Sequence, residues 1–433
     1  MSQPLAAMLC LGCMLGVTGT AASAAQSTAP DADSQQAVEE AAARVELSEY
    51  VEAINVVEAA IEDIEQRTNR YDLSLVRPLV VLGDALGGVG DTEGAFGAYD
   101  RALHIARVNR GLHHPSQVPI VYREARLLAK LDRWKAANNR HEYAYTILLR
   151  SYGGDSPQLL PGLFALADWY MSNYNIFSAR ALYEHATSVA TKHLRRDHPA
   201  KIRALRSVAA TYRNERFPPF YTRRRDEGGS TVGSYAGFQY RPTNNPSVNS
   251  FAKGERALIE VINIVQERDG GVGEDVAKAM LELADWFTMF EKHARATSLY
   301  RRVWELLQSK PDLRDRTFAH PTPLYLALPN DPSKPDGADE DEAQEGMIEL
   351  SVDIDPRGFV SHIDTLHSEP KDLMDFKVRR ALKRARYRPA FDGLNPLATE
   401  DVRIKHSFVY YRSAHVRHGG IETSVAHRGQ TRP

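Results

Sequence analysis

Apolar residues recur at helical spacing along the chain as far as about residue 310. Leu163, Leu166, Ala167 and Tyr170 lie three, one and three residues apart, which places them on one face of a helix. The same spacing starts again at Ala179, after a short polar stretch. Two such stretches joined by a turn predict a pair of amphipathic helices that pack through their apolar faces.

This pattern has a fixed period. Pro115, Pro157 and Pro199 each follow a short turn and lie 42 residues apart. The segment from Leu166 to Tyr170 recurs at 283–287, offset by 117, which is not a multiple of 42, so an irregular segment must lie between the two copies. Residues 217–250 are rich in Pro, Gly, Ser, Thr, Asn and Arg and fit that description. We therefore predict six helix pairs from 34 to 310, the fifth carrying an insertion at 217–250.

Small and aromatic residues recur at fixed places within each pair. A small residue lies in the first helix, a second opens the second helix, and an aromatic residue follows four positions later in several pairs. The first set is Gly83, Ala125, Ala167, Ala209 and Ala284; the second is Ala53, Ala95, Ala137, Ala179 and Ala296; the aromatic set is Tyr99, Tyr183 and Tyr300, with Val57 and His141 elsewhere. This arrangement resembles the tetratricopeptide repeat (TPR), in the 42-residue form of kinesin-light-chain-like arrays. The resemblance implies an α-solenoid that binds peptides or proteins, with the aromatic residues in its core.

The composition changes after residue 310. Five prolines between 321 and 335 precede the run from Asp336 to Glu345, which has six acidic residues and no basic one. Proline stiffens a chain and like charges extend it, so residues 311–345 are predicted to be a linker between two independently folded parts.

The last folded segment alternates as a strand does. Ile348, Leu350, Val352 and Ile354 share one face, and a turn at 355–358 leads into a returning strand at 359–366. A helix from 376 to 385 is predicted to pack Phe376, Ala381 and Leu382 on the sheet, and Val402 to Tyr411 gives a final strand. The order is ββαβ within residues 346–412, and the polar tail 413–433 is predicted to be disordered. The fold class is therefore mainly α, with a small α+β domain after the solenoid.

Two motifs in this segment resemble the C-terminal domain of the TonB family. They are the hairpin turn from Val352 to Val360 and the Arg386-Tyr387-Arg388-Pro389 segment after the helix. In that family a strand of an outer-membrane transporter adds to the edge of the sheet, which implies a partner-binding edge here. The residues assigned to that edge are Arg386, Tyr387, Arg388, Pro389, Val402, Ile404, His406 and Phe408.

The first residues predict export. Residues 2–30 contain no charged side chain, an apolar core runs from Leu5 to Val17, and small residues follow at 21–25. This is typical of a signal peptide at 1–25, and the two cysteines, Cys10 and Cys13, lie inside it. The alternative is that the segment stays uncleaved as a membrane anchor.

Composition and motifs narrow the function classes. The chain has 54 basic and 56 acidic residues, which argues against binding to nucleic acid through its overall charge. It contains no Gly-rich phosphate loop and no H-E-x-x-H or G-x-S-x-G motif, so we expect no enzyme, catalytic residue, cofactor or metal. Arg223, Arg224 and Arg225 stand among aromatic residues in the insertion, which is predicted to be a solvated loop or else to bind a partner.

Two hypotheses follow. The first is a periplasmic scaffold whose repeats bind one envelope protein while the TonB-like domain pairs with another, such as an outer-membrane receptor. The second is an inner-membrane-anchored TonB-type energy transducer that drives transport through that receptor. Only the second requires an uncleaved N-terminus and inner-membrane motor proteins as partners.

Overall fold

The computed structural model describes residues 32–218, 250–332, 334 and 339–411. The predicted signal peptide 1–25, nearly all of the insertion 217–250 and the tail 413–433 lie outside the described residues. No helix in the described part is long and apolar enough to cross a membrane.

Twelve helices in the described ranges up to residue 306 form six consecutive pairs, the number that the period predicts. The pairs are α1 (Ala32–Glu46) with α2 (Tyr50–Arg67), α3 (Val76–Val89) with α4 (Thr92–Arg110), α5 (Val118–Lys130) with α6 (Trp134–Tyr152), α7 (Leu160–Ser172) with α8 (Ile176–His193), α9 (Pro199–Arg216) with α10 (Ser250–Asp269), and α11 (Glu274–Met289) with α12 (His293–Leu306). The chain divides into two compact units, residues 1–109 and 110–433.

Each unit has its core at the predicted positions. In the first unit Ala53, Val57 and Ala95 are fully buried, and a Cβ atom at Gly83 would lie 2.4 Å from the ring of Tyr99. Glycine is therefore the residue that lets this tyrosine fill the gap between α3 and α4. In the second unit the predicted small residues are likewise buried, namely Ala125, Ala137, Ala167, Ala179, Ala209, Ala284 and Ala296.

The turns within the first four pairs each hold one residue in the left-handed conformation, and these four residues follow the period of 42. Gly90 has a φ of +90°, while Ser48, Asp132 and Tyr174 have φ values of +64°, +59° and +59°. Glu291, in the sixth pair, has a φ of +63°. Non-glycine residues adopt this conformation at a cost, so the surrounding helix contacts must enforce it.

Four of the five turns between pairs carry a recurring cap. Asp72, His114, Ser156 and His198 lie 42 residues apart, and each side chain accepts a hydrogen bond from the backbone N–H two residues later. These bonds satisfy N–H groups that have no partner within the helix that follows. The predicted turn prolines 115, 157 and 199 come directly after the last three caps, where a missing N–H costs nothing.

The segment predicted to be a linker is partly folded. Helix α13 (Pro311–Phe318) follows α12 directly, and strand β1 (Thr322–Tyr325) pairs antiparallel with β4 (Arg386–Arg388). Beyond β1, Leu326 and Leu328 pack against the core of the C-terminal region. This differs from the prediction of an extended linker because Pro311 stands at the first turn of a helix, where proline is accepted, and because Leu326 and Leu328, between the prolines, become partly buried.

The C-terminal region contains the predicted hairpin, helix and final strand. Its main sheet has the order β3 (Val360–Glu369), β2 (Ala343–Ile354), β7 (Thr399–Tyr411), with all pairs antiparallel. Helix α14 (Asp375–Lys383) precedes β4, and the short strands β5 (Ala390–Asp392) and β6 (Asn395–Leu397) pair with each other. The inward face of β2 matches the prediction, since Ile348, Leu350, Val352 and Ile354 are buried.

Of two sequence predictions in this region, the structure confirms the hairpin turn at Gly358 and contradicts the packing of Phe376 on the sheet. Gly358 has a φ of +85°, and a Cβ there would lie 1.9 Å from the carbonyl oxygen of Tyr387, so glycine is required in the hairpin turn. Phe376, in contrast, was predicted to pack on the sheet but is 75% exposed. The buried face of α14 consists of Val378, Ala381 and Leu382, and Phe376 lies on the opposite face.

Candidate functional site

A tyrosine and an aspartate fifteen positions earlier form a hydrogen bond in three of the helix pairs. The hydroxyl of Tyr183 donates to Asp168 at 2.5 Å and that of Tyr300 donates to Asp285 at 2.9 Å. Tyr99 donates to Asp84 in the same way at 2.7 Å. Burial, followed by the neighbouring carboxylate, raises the pKa of Tyr183 above its ordinary range, so this hydroxyl stays protonated and donates. The aromatic residues are thus core, as predicted, with their hydroxyls anchored.

In the second unit, Asp168 and Asp285 also each bind an arginine from a later element of the chain. Arg203 of α9 contacts Asp168 of α7 at 2.6 Å. After the last pair the described chain continues into the C-terminal region, and Arg388 of β4 contacts Asp285 of α11 through two N–O contacts of 2.9 and 2.7 Å. Both members of this last pair are mostly buried. The C-terminal region therefore supplies the arginine that a next repeat would supply.

Aromatic residues close the same junction. Phe318 of α13 and Phe391 of β5 both contact Tyr300 edge-on, with ring centroids 6.1 and 5.5 Å away, and they lie 5.1 Å from each other. All three side chains are buried. A second ion pair joins Arg386 to Glu291 at 2.8 Å. The C-terminal region thus packs on the last helix pair as a cap, which an array of repeats needs at its end.

A cavity of about 260 Å³ opens beside this junction, between the first helices of the fifth and sixth pairs. Helix α9 contributes Arg206 and Arg213, helix α11 contributes Glu282 and Trp286, and Leu324 of β1 forms a further wall. Arg206 donates to Glu282 at 2.7 Å, whereas Arg213 is exposed and makes no ion pair with any residue that the structure describes. The cavity therefore offers one available positive charge beside an apolar surface.

A second and larger cavity, of about 710 Å³, lies between α7 and α9, the first helices of the fourth and fifth pairs. Phe164 of α7 and Pro199 and Arg203 of α9 are among its lining residues. Arg203 lies over the ring of Phe164, with 4.1 Å between the guanidinium carbon and the ring centroid. Most of this cavity's surface is apolar, and its walls include the recurring proline turns.

The predicted partner-binding residues divide into two groups. Arg386, Tyr387, Arg388 and Pro389 lie in or beside β4, where the two arginines contact α11 and its following turn and Tyr387 is buried. The two arginines hold the C-terminal region to the repeats and Tyr387 lies in the core of that region, which differs from their predicted place beside a partner-binding edge. The physical reason is that β4 already pairs with β1, and its arginines meet carboxylates on the last helix pair.

The second group lies on β7, which is an edge strand of the main sheet. Phe408 is buried in the core of the sheet, and Val402 and Ile404 pack against that core. His406 lies beside Phe408 with ring centroids 5.9 Å apart, and burial lowers its pKa below the usual range. These four side chains therefore support the strand from inside, and a partner would meet its backbone edge.

Within the described residues, no strand pairs with the free side of β7. The N–H of Val409 donates to the carboxylate of Asp331 at 3.0 Å, so this N–H points away from β2. Backbone groups alternate along a strand, which places the N–H groups of Arg403, Lys405 and Ser407 on the same free side. The sequence pattern predicts the strand but gives no sign that Asp331 contacts it, since Asp331 lies in the segment predicted to be a linker.

His113 and His114 lie in the turn that precedes α5, where both make local contacts. His114 caps the turn before α5, and His113 lies 2.7 Å from Arg150. Among the residues that the structure describes, no cluster of His, Cys, Asp and Glu is arranged to hold a metal ion.

The comparison with protein families finds no matching family model, and the comparison with curated proteins finds no match. Solved structures are similar at low identity. The nearly identical TPR-like repeats of a kinesin light chain from Podosopora anserina have 16% identity and a TM-score of 0.39, covering 54% of this chain and 96% of that one. BtubC (BKLC) from P. vanneervenii has 14% identity and a TM-score of 0.39, with coverages of 65% and 93%. PilF of Pseudomonas aeruginosa has 13% identity and a TM-score of 0.34, with coverages of 66% and 95%.

At such low identities and TM-scores, these similarities indicate nothing about the partners or the activity of this protein. The helix pairs themselves, with their recurring small residues, aromatic residues and turns, make the protein a mainly helical chain of TPR-like repeats followed by a small β region. The resemblance of that region to the TonB family stays a prediction.

Proposed function

We propose that the protein is a non-enzymatic scaffold of the cell envelope that binds one protein partner through its repeats and a second through its C-terminal sheet. The observation that supports the first half is the cavity between α9 and α11. It combines an exposed arginine, Arg213, with the apolar surface of Trp286 and Leu324. A cavity with a few polar groups in an apolar wall suits an anchoring side chain of a partner peptide.

The second half of the proposal is β-strand addition to β7. The free N–H groups of Arg403, Lys405 and Ser407 offer a ladder to an extended peptide, and the resemblance to TonB proteins favours an envelope partner. Arg403 and Lys405 both contact Glu349 on β2, so the bases on this strand are held beside the edge and can also limit unwanted pairing.

Photo-crosslinking in intact cells tests both surfaces together. A photoreactive residue replaces Arg213 in one variant and Arg403 in another, and a control variant carries it at the exposed Arg302 on α12. We expect distinct partners at positions 213 and 403 and none at 302. Adding Ser407→Pro, which removes a free N–H, should abolish the crosslink at 403 and leave that at 213. The absence of crosslinks at both positions would refute the scaffold.

Export is a further part of the proposal, supported by the uncharged N-terminal segment and its small residues at 21–25. N-terminal sequencing of the protein after fractionation of its native envelope tests it. A mature chain that starts near Ala25 or Gln26 in the periplasm is expected. An intact N-terminus in the inner membrane would instead favour the TonB-type transducer.

A further inference from the structure

The solvent face of α14 combines basic residues with one exposed aromatic ring. Phe376, Lys377, Arg380 and Lys383 fall within about a third of the helix circumference, since successive residues turn by roughly 100°. All four are exposed, and the opposite face of the helix is buried against the sheet. This surface, the α14 basic face, is therefore fixed in place by the domain and directed outwards.

The charges of this face are not neutralised by the described part of the chain. Lys377, Arg380 and Lys383 make no ion pair with any residue that the structure describes, although the chain has acidic residues at 339, 341 and 342. Arg386 and Arg388, in contrast, both have carboxylate partners. The α14 basic face therefore combines three bases that have no carboxylate partner among the described residues with one ring that is 75% exposed.

We propose that the α14 basic face binds the surface of an anionic phospholipid bilayer. The ring of Phe376 enters the boundary between headgroups and acyl chains, and the three bases contact lipid phosphates. An acidic protein segment would match the charges but would leave the ring in water unless it brought its own pocket. A bilayer accommodates the ring without one, so the exposed phenylalanine favours the membrane.

Co-sedimentation of the full chain with lipid vesicles tests the proposal. We expect binding to vesicles that contain phosphatidylglycerol, little binding to pure phosphatidylcholine, and weaker binding at high salt. Each base near an anionic bilayer contributes about a factor of five to partitioning, so the triple variant Lys377→Glu, Arg380→Glu, Lys383→Glu should bind at least roughly 100-fold more weakly. Phe376→Ser should weaken binding but leave the salt dependence of binding unchanged, because the three bases remain.

A matched control changes the same charge elsewhere. The triple variant Lys130→Glu, Arg133→Glu, Lys135→Glu alters three exposed bases around Trp134 in the repeats and should bind vesicles as the parent chain does. Circular dichroism should show both triple variants folded, because all six side chains are exposed. Three outcomes would overturn the proposal: no binding to anionic vesicles, equal loss in both triple variants, or binding of poly-glutamate through this face without binding to vesicles.

Discussion

A recurring hydrogen bond between a tyrosine and an aspartate joins the two helices in three of the helix pairs. The tyrosine ring fills the space beside a small residue, and its hydroxyl is satisfied by a carboxylate that also meets an arginine, as Tyr183, Asp168 and Arg203 show. An unsatisfied hydroxyl in this buried position would cost free energy, so the ring and the carboxylate depend on each other.

Substitution of Tyr183 separates these two contributions. Tyr183→Ala removes a buried ring and should lower the free energy of unfolding by about 3–5 kcal/mol. Tyr183→Phe keeps the ring and loses the hydrogen bond to Asp168, which should cost only about 1 kcal/mol because Arg203 still contacts the carboxylate. Urea unfolding of the three proteins measures both effects. Equal losses in the two variants would contradict a packing role for the ring.

Breaking the ion pair between Arg388 and Asp285 should lower the free energy of unfolding far more than breaking a surface ion pair. Arg388→Leu leaves a mostly buried carboxylate without its cation and should cost about 3–5 kcal/mol. The control, Arg403→Ala, removes an exposed guanidinium and leaves Glu349 in contact with Lys405, so it should cost less than about 1 kcal/mol. Comparison of their unfolding midpoints measures the difference, and similar midpoints would show that the junction is not held by Arg388.

His141 takes the aromatic position in the third pair and makes stability depend on pH. It stacks on Trp169 with centroids 4.3 Å apart, and burial lowers its pKa to about 4. The unfolded chain, with a histidine pKa near 6.5, binds the proton more readily, so stability is full above about pH 6.5 and falls as the pH is lowered towards about 4. The loss should reach at most roughly 3 kcal/mol.

Unfolding in urea at pH 7 and pH 4.5 tests this pH dependence. His141→Phe should lose less stability between the two pH values than the parent chain, because the neutral ring remains and the titrating group is removed. His362→Gln, at an exposed histidine beside Asp364, serves as the control and should behave as the parent does. A parent chain equally stable at both pH values would rule out a buried, neutral His141.

At the scale of elements, the sequence predicts the repeating features that a recurring residue type marks and misses those that no residue type marks. The period of 42 is visible because Pro115, Pro157 and Pro199 mark the turns between pairs. The turns within pairs are not visible, since only Gly90 is glycine among the left-handed residues that follow the same period. The conformation of Tyr174 is imposed by the helices around it, which no local preference encodes.

The C-terminal elements show the same division for the candidate site. Alternation along β2 and the glycine at 358 predicted the hairpin, because each depends on neighbours in sequence. The role of Arg388 could not be predicted, since its partner Asp285 lies 103 residues earlier in the chain. A basic residue after a helix carries no signal of a distant carboxylate.

The direction of the N–H groups of β7 predicts opposite effects for prolines at neighbouring positions. The N–H of His406 points towards β2, so His406→Pro removes a ladder bond and should destabilise the sheet by about 3 kcal/mol or more. Ser407→Pro removes an N–H on the free side and should leave the sheet folded. Amide exchange of β2 measures the outcome. Faster exchange in the Ser407 variant than in the His406 variant would reverse the assignment of the edge.

At the scale of the second unit, the repeats and the C-terminal region pack together through a buried junction. The sequence predicted two independent parts joined by a linker, yet Phe318 and Phe391 bury the ring of Tyr300 from both α13 and β5. Without them this apolar end of the last helix pair would face water. The C-terminal region therefore stabilises the repeats in addition to any partner that it binds.

A substitution in β5 should accordingly lower the local stability of α12. Phe391→Ala removes a buried ring from the contact with Tyr300 and should weaken the junction by about 3–5 kcal/mol. Hydrogen exchange of the full chain should then accelerate in α12, which carries Tyr300, and should change little in α7, two pairs away. Leu397→Ala, at a half-exposed residue of β6, serves as the control and should leave both helices unchanged. If exchange in α12 were equally slow in both variants, the cap would carry no stability, and the two parts would fold independently after all.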